Sequence, residues 1–144
     1  MSKLLSALRE VFRAIAFRDF TFERCSSAWR LGADHRAERL LVAAFSPMQL
    51  AQYRKAGHFE VVGCHTGSRY RILRSPQMNI ERLDRRGWRV ELLCFVPETQ
   101  LPLGDVMLAQ KLALELYEID ALNAANRFPV RSKARRHWSG DFPA

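Results

Sequence analysis

Cysteine is scarce in this chain of 144 residues, which contains three. An odd number with no regular spacing argues against a disulfide framework and fits a reducing compartment, so we expect a cytoplasmic protein. No apolar run approaches the length of about 20 residues that a membrane-spanning helix needs. Arg9, Glu10 and Arg13 interrupt the apolar region that a signal peptide requires. The sequence therefore predicts neither a secreted disulfide scaffold nor an integral membrane protein.

The chain also lacks the short motifs of the common catalytic classes. It has no GxSxG, HExxH, P-loop or GxGxxG motif, and its four histidines have no evident acid or nucleophile as a partner. Glu115 and Glu118 come nearest to a carboxylate pair, but a three-residue spacing on a polar helix face is typical of a solvated surface. We therefore predict a protein that is not an enzyme and has no cofactor.

Cys64, His65 and Cys94 are the candidate metal ligands of the chain. If the strand before Cys64 lay beside the strand that contains Cys94, the two thiols would approach each other, with Cys25 or His58 as a fourth ligand. Adjacent strand residues point to opposite faces of a sheet, however, and the chain has no CxxC or HxxxH spacing. The prediction is no metal site, with zinc as the alternative.

Alternating apolar residues predict a small antiparallel sheet. Residues 59–63 and 69–73 alternate with a period of two, and Gly67 lies in the turn between them, where it is free to adopt a positive φ. Residues 78–83 and 88–95 give a third and a fourth strand. The economical arrangement is a meander of three or four strands.

A long helix is predicted over residues 105–126. Its large apolar residues recur at steps of three and four positions: Leu108, Leu112, Leu116 and Ile119. Ala109, Ala113 and Leu114 widen this stripe. Polar residues gather on the other side of the helix: Lys111, Glu115 and Glu118. We expect the leucine stripe to pack on the sheet, so a charge at Leu112 is expected to unfold the domain.

Residues 1–17 have the pattern of a basic amphipathic helix. Its apolar stripe is formed by Leu4, Leu8, Val11, Phe12 and Ile15, and its polar side carries Lys3, Arg9 and Arg13. This pattern favours docking to a protein partner, self-association or, less strongly, contact with a membrane surface. The alternative is a helix that packs on its own domain or on a second subunit.

The segment before the sheet has two helical stretches. Residues 25–32 are assigned to a loop and residues 33–45 to a helix. Ser46, Pro47 and Gln49 have the spacing of a capping box with proline at the first helical position, and Gly57 suits the left-handed end of that helix. The order predicts an α+β fold with N-terminal helices, the meander and a long C-terminal packing helix.

Three regions follow from this order. Residues 1–24 form the amphipathic helix and an aromatic segment, residues 25–126 form a single α+β domain, and residues 127–144 form a basic flexible tail without periodicity.

The net charge of +8 favours an anionic partner. The candidate residues around the sheet are arginines: Arg69, Arg71, Arg74, Arg82, Arg85, Arg86 and Arg89. The tail adds Arg131, Lys133, Arg135, Arg136 and Trp138. These residues suit phosphate contacts, and Trp138 suits stacking on bases, so nucleic-acid binding with weak sequence selectivity is one interpretation. A solvated arginine-rich surface is the other.

Four motifs in order carry a resemblance: TGSRYRI, MNIERLD, LCFVPE and LPLGDVMLAQKLALE. They resemble a family of small bacterial proteins whose shared region covers about half of the chain, and this resemblance implies a fold unit but no chemistry. Residues 59–72 also look like the strand, turn and strand of SWIM-type zinc modules, although the paired cysteines and the later cysteine and histidine of those modules are missing. Together the patterns predict an interaction or adaptor module, with nucleic-acid binding as the alternative.

Overall fold

The computed structural model describes residues 27–96 and 99–130, with side chains from residue 31 onward. These residues form three helices and a five-stranded antiparallel sheet, which confirms the α+β class. The helices are α1 (Ser27–Ala43), α2 (Pro47–Ala56) and α3 (Leu103–Ala124). The strands are β1 (His58–Val62), β2 (Arg69–Leu73), β3 (Ile80–Leu83), β4 (Arg89–Cys94) and β5 (Asn126–Pro129). No helix of this part of the chain is long and apolar enough to cross a membrane.

Helix α1 begins earlier than predicted. The sequence analysis assigns residues 25–32 to a loop, but the helix already includes Ser27 and continues through Gly32. One glycine inside a helix costs about 1 kcal/mol relative to alanine, and this helix also packs against α3. The loop prediction is therefore wrong for residues 27–32.

Helix α2 has the ends that its sequence predicts. The Gln49 N–H donates to Ser46 Oγ at 3.2 Å, and the Ser46 N–H donates to Gln49 Oε1 at 3.1 Å. Pro47 occupies the first helical position, where its missing N–H leaves no hydrogen bond unmade. Gly57 ends the helix with a φ of 64° and donates its N–H to the Tyr53 carbonyl at 2.9 Å. The capping box and the glycine end are both confirmed.

The sheet is a meander with the strand order β1-β2-β3-β4-β5. Its five strands are one or two more than the three or four that the alternation predicts. Strand β5 pairs with β4, and its residues 127–129 belong to the segment that the sequence analysis assigns to the flexible tail. The residues of β5 are all exposed and show no period-two pattern, so the strand is set by its hydrogen bonds to β4 and not by apolar alternation.

The core lies between one face of the sheet and the helices. The sheet contributes fully buried side chains that include Phe59, Tyr70, Ile72, Ile80 and Leu93. The helices contribute Leu41, Met107 and Leu114, which are also fully buried.

Helix α3 presents to the core a side that carries only part of the predicted apolar stripe. Leu112, Leu116 and Ile119 are exposed by 43%, 57% and 44%, whereas Lys111 and Glu118 are buried. The predicted packing on the sheet is therefore wrong for Leu112, Leu116 and Ile119. Ala113 and Leu114, which widen the predicted stripe, are buried in the core, and Leu108 contacts its edge. The reason is that polar contacts on the other side of the helix fix its rotation.

Candidate interaction surface

The buried carboxylate of Glu118 is the strongest of these polar contacts. The backbone N–H groups of His65 and Thr66 each donate to Glu118 Oε2 at 2.7 Å. The Tyr70 hydroxyl donates to Oε1 at 2.7 Å, and the Thr66 hydroxyl also contacts Oε1. These four donors come from the β1–β2 turn and strand β2, so Glu118 joins the turn to α3. We call Glu118, His65, Thr66 and Tyr70 the Glu118 cluster.

Among residues 27–96 and 99–130, the Glu118 carboxylate has no ion-pair partner, and its cluster satisfies it with hydrogen bonds alone. Burial alone raises the pKa of Glu118, but the hydrogen bonds from Thr66, Tyr70 and His65 outweigh burial and lower the pKa to about 2. Burial and the neighbouring Glu118 carboxylate raise the pKa of the Tyr70 hydroxyl to about 12. Glu118 is therefore charged at neutral pH, and Tyr70 remains a hydrogen-bond donor.

Helix α3 is kinked where it meets the turn. Tyr117 has a φ of −142° and a ψ of 42°, outside helical geometry. One turn before Glu118, the carbonyl of Leu114 accepts the Cys64 N–H at 3.3 Å. Insertion of an outside donor into the ladder of helical hydrogen bonds is a known cause of kinks. The turn thus contacts both the backbone and the side chains of α3.

Gly63 makes this close approach feasible. A Cβ at this position would lie 2.2 Å from Glu118 Cδ, well inside van der Waals contact. Any larger residue forces the carboxylate away from the turn, so glycine is required here by space and not by its φ.

Two further sets of hydrogen-bonded polar side chains fix the rotation of α3. Asn79 and Gln110 are both buried and exchange side-chain amide hydrogen bonds at 2.7 and 2.9 Å. Lys111 Nζ lies 2.5 Å from Glu115 Oε2, and Gln49 Nε2 donates to Glu115 Oε1 at 3.2 Å. Buried polar groups are costly unless they are hydrogen-bonded, so turning the leucines inward would leave these groups without partners.

The exposed side of α3 is consequently apolar. Leu112, Leu116 and Ile119 lie at steps of four and three residues, which places them side by side on one helix face. We call these three residues the leucine face. The half-buried Asp105 and the exposed Asp120 carry acidic groups on α3 outside its buried side. The leucine face is thus an apolar patch on an acidic helix.

The predicted basic strand residues lie in a network of ion pairs. On the sheet face away from the core, Glu60 binds Arg69 at 2.6 Å and Arg71 at 3.1 Å. Glu81 binds Arg71 at 3.3 Å and Arg89 at 3.0 Å. Burial raises the pKa of Glu60, but Arg69 and Arg71 outweigh that effect and lower it. This arginine ladder, Arg69–Glu60–Arg71–Glu81–Arg89, holds three positive and two negative charges, which leaves it nearly neutral.

Other arginines around the sheet are also paired. Arg82 and Arg127 each contact Glu91 at 2.9 Å, which ties β3 and β5 to β4. Arg74 lies 3.9 Å from Glu38 and places its guanidinium 5.9 Å from the centre of the Tyr53 ring. Within the described residues, Arg85 and Arg86 have no ion-pair partner, and both are exposed on the β3–β4 turn.

The thiols do not meet in the way that the zinc alternative requires. Strands β2 and β3 lie between β1 and β4, so the strand before Cys64 is not a neighbour of the strand that contains Cys94. Cys64 is exposed, with its Sγ 3.3 Å from His65 Nδ1, and Cys94 is buried. No group of three or more His, Cys, Asp or Glu within residues 27–96 and 99–130 is arranged to hold a metal ion.

The remaining predicted site residues lie outside the described residues. The partner-docking residues of the N-terminal helix are Leu4, Leu8, Val11, Phe12 and Ile15, and the anion-binding residues of the tail are Arg131, Lys133, Arg135, Arg136 and Trp138. Sequence reasoning missed the buried polar residues Asn79, Gln110 and Glu118. One available signal was Gly63 at the end of β1, because the missing side chain leaves the room that Glu118 occupies.

Comparison of the chain with family models, curated proteins and solved structures finds no significant match.

Proposed function

We propose that this protein is a non-enzymatic interaction module whose docking surface is the leucine face of α3. The observation that carries the proposal is the rotation of α3, which buries Gln110, Lys111 and Glu118 and leaves Leu112, Leu116 and Ile119 exposed. Large apolar side chains that adjoin one another on a surface are typical of interaction sites. The scarcity and odd number of cysteines support a reducing compartment such as the cytoplasm.

The chemistry of the face indicates the kind of partner. An amphipathic helix binds such a surface through residues spaced by three and four positions. Asp105 and Asp120 favour a partner with basic residues beside its apolar stripe. The proposed partner is therefore a protein that presents a basic amphipathic helix.

The test compares two double variants of the full chain. Leu112→Ser with Leu116→Ser removes the leucine face, and Leu31→Ser with Leu40→Ser removes two leucines of α1 that are 67% and 58% exposed. Wild-type and variant proteins are immobilised and exposed to lysate of the native cells, and the captured proteins are identified by mass spectrometry.

We expect one captured protein to be retained by the wild type and by the α1 variant and lost by the α3 variant. The thermal midpoints should stay close to that of the wild type, because exposed positions contribute little to stability. Equal capture by all three proteins, or capture of nothing by the wild type, would contradict the proposal.

A nucleic-acid-binding function is the second candidate. It is supported by the net charge of +8 and by the exposed Arg85 and Arg86, while the arginine ladder argues for a structural use of Arg69, Arg71 and Arg89. Binding to random duplex or single-stranded nucleic acid that falls steeply with salt would favour this candidate.

A further inference from the structure

We propose that the sheet face away from α3 carries a binding site for a small organic acid with one carboxylate and an apolar body. The site is a cavity of about 260 Å³ beside the β2–β3 loop. It belongs to the face that bears the arginine ladder, so it is separate from the leucine face and independent of the partner proposed there. Three properties support it: the apolar walls, the donors of two arginines, and a strained residue at the rim.

The walls of the cavity are largely apolar. Leu73, Met78 and Leu92 line it. Leu92 lies beside Glu81 in the sheet, and Glu81 lies beside Arg71, which places the cavity on the outer side of β2, β3 and β4. An apolar cavity of about 150 Å³ holds a benzene molecule, so this cavity has room for a ring with a short substituent.

The charged groups that line the cavity favour a ligand with one negative charge. Arg74, Arg89 and Glu81 line it, so the lining carries a net charge of +1. The buried Glu81 carboxylate contacts Arg89 at 3.0 Å and Arg71 at 3.3 Å, so two arginines already compensate it. One carboxylate from a ligand would balance the lining, whereas a second negative charge would lie near Glu81 without a partner.

Both arginines of the cavity have donors that the fold does not use. Arg74 is 58% exposed, and its guanidinium lies 3.9 Å from Glu38, which is longer than a hydrogen bond. Arg89 donates to Glu81 through Nη1, and in the part of the chain that the structure describes its buried Nε has no hydrogen-bond partner. Buried donors without an acceptor are uncommon, and a guanidinium is well suited to donate to a carboxylate. The two arginines therefore suit the acidic end of the ligand.

The rim of the cavity contains a strained residue. Met78 has a φ of 48°, which is unfavourable for a residue with a Cβ. Such conformations persist where neighbouring contacts fix them, and they cluster at binding sites. The contacts here come from Asn79, whose carbonyl accepts the Leu73 N–H at 2.7 Å and whose side chain bonds to Gln110. The β2–β3 loop is thus fixed in a shape that places Met78 at the cavity.

A titration of the full chain followed by amide chemical shifts tests the site. Phenylacetate has a ring and one carboxylate, phenylacetamide has the same shape without the charge, and acetate has the charge without the ring. We expect phenylacetate to bind saturably and to shift the amide signals of Leu73, Met78 and Leu92. The other two compounds should each bind about tenfold more weakly, which corresponds to about 1.4 kcal/mol.

Two pairs of variants locate the binding. Arg74→Gln should weaken phenylacetate binding about tenfold, whereas Arg85→Gln, which removes the same charge from the β3–β4 turn, should change it by about twofold at most. Arg74 is exposed, so its replacement leaves the core intact. Leu92→Trp fills the cavity and should abolish binding. Val62→Trp adds the same ring at a position on this sheet face that is 58% exposed and does not line the cavity, so it should have little effect.

Several results would overturn the inference. Equal affinity for phenylacetamide would remove the role of the charge, and equal affinity for acetate would reduce the binding to a general attraction of anions. Tighter binding of phenyl phosphate would contradict the single negative charge. Equal losses in Arg74→Gln and Arg85→Gln, shifts confined to the leucine face, or no saturable binding would show that the cavity is not a site for such acids.

Discussion

Glu118 shows how one buried charge can organise both a turn and a helix. Its carboxylate is fully buried and is satisfied by donors from His65, Thr66 and Tyr70, which precede it by about fifty residues. Hydrogen bonds to a charged group are worth about 1.5 to 3 kcal/mol each, and leaving such a group unsatisfied costs more. The cluster therefore determines which side of α3 faces the sheet.

Acid should weaken the fold through Glu118. Because its pKa is about 2 in the folded protein and 4.5 ordinarily, the stabilisation is complete above pH 4.5 and is lost as the pH falls from 4.5 towards 2. At about 1.36 kcal/mol per pH unit, the contribution at neutral pH is about 3 kcal/mol. Urea unfolding of the wild type and of Glu118→Gln should differ by about this amount at pH 7.

That difference should shrink as the pH approaches 2. A gap between the two proteins that stays constant from pH 7 to pH 2 would show that the charge of Glu118 has no part in stability.

Replacement of Gly63 should be far more costly than replacement of another glycine. The Cβ of Gly63→Ala would lie 2.2 Å from Glu118 Cδ, whereas the nearest atom to a Cβ at Gly32 is the flexible end of Arg36 at 3.5 Å. We expect Gly63→Ala to lose about 2 to 4 kcal/mol through overpacking and disruption of the Glu118 cluster. Gly32→Ala, inside α1, should be neutral or stabilising by up to about 1 kcal/mol.

Chemical denaturation of both variants measures the contrast. If Gly63→Ala unfolds at the wild-type midpoint, the close approach of α3 to the turn is not as described.

At the scale of the element, the residues of α3 that stabilise the fold differ from those that form its exposed surface. Leu114 is fully buried, whereas Leu116, two residues later, is exposed by 57%. Leu114→Ala should therefore destabilise the protein by about 2 to 5 kcal/mol, while Leu116→Ala should cost less than about 1 kcal/mol. A charge at Leu112 is likewise expected to leave the protein folded, in contrast to the expectation from the sequence alone.

Unfolding curves of Leu114→Ala, Leu116→Ala and Leu112→Asp check this rotation of the helix. Comparable losses for Leu114→Ala and Leu116→Ala would mean that both sides of α3 are packed.

The rotation of α3 could not be predicted because its sequence is apolar on most sides. Periodicity identifies the leucines, but the rotation of α3 depends on the hydrogen bonds of Glu118 to the β1–β2 turn and of Gln110 to Asn79. Those partners are distant in sequence, so no local pattern reveals them. The capping box at Ser46 and the turn at Gly67, with a φ of 65°, depend on neighbouring residues and were predictable.

At the scale of the whole molecule, charge is distributed differently from what the composition indicates. The arginine ladder and the pairs to Glu38 and Glu91 use five of the seven arginines predicted around the sheet. Strand β5 was missed for a related reason, since Arg127 is held by Glu91 and its neighbours carry no alternating pattern. The composition predicts that the protein attracts anions, but the ion pairs with glutamates determine which arginines an anion can reach.

Nucleic-acid binding, if the protein has it, should depend on the unpaired arginines. Arg85→Ser with Arg86→Ser should reduce binding to random duplex DNA at low salt, and the slope of log affinity against log salt should fall by about 2. Arg69→Ser with Arg89→Ser removes the same charge from the arginine ladder and should change binding much less. A larger loss with the ladder variant would mean that the ion pairs open to contact phosphate.

The hydrogen bonds that anchor α3 have a consequence for how this protein can change over time. Since Glu118, Gln110 and Lys111 hold the helix from its inner side, the three positions of the leucine face are free to vary without altering the framework. A lineage, or an engineer, can therefore acquire a new binding preference through a few outward substitutions while inheriting the architecture intact.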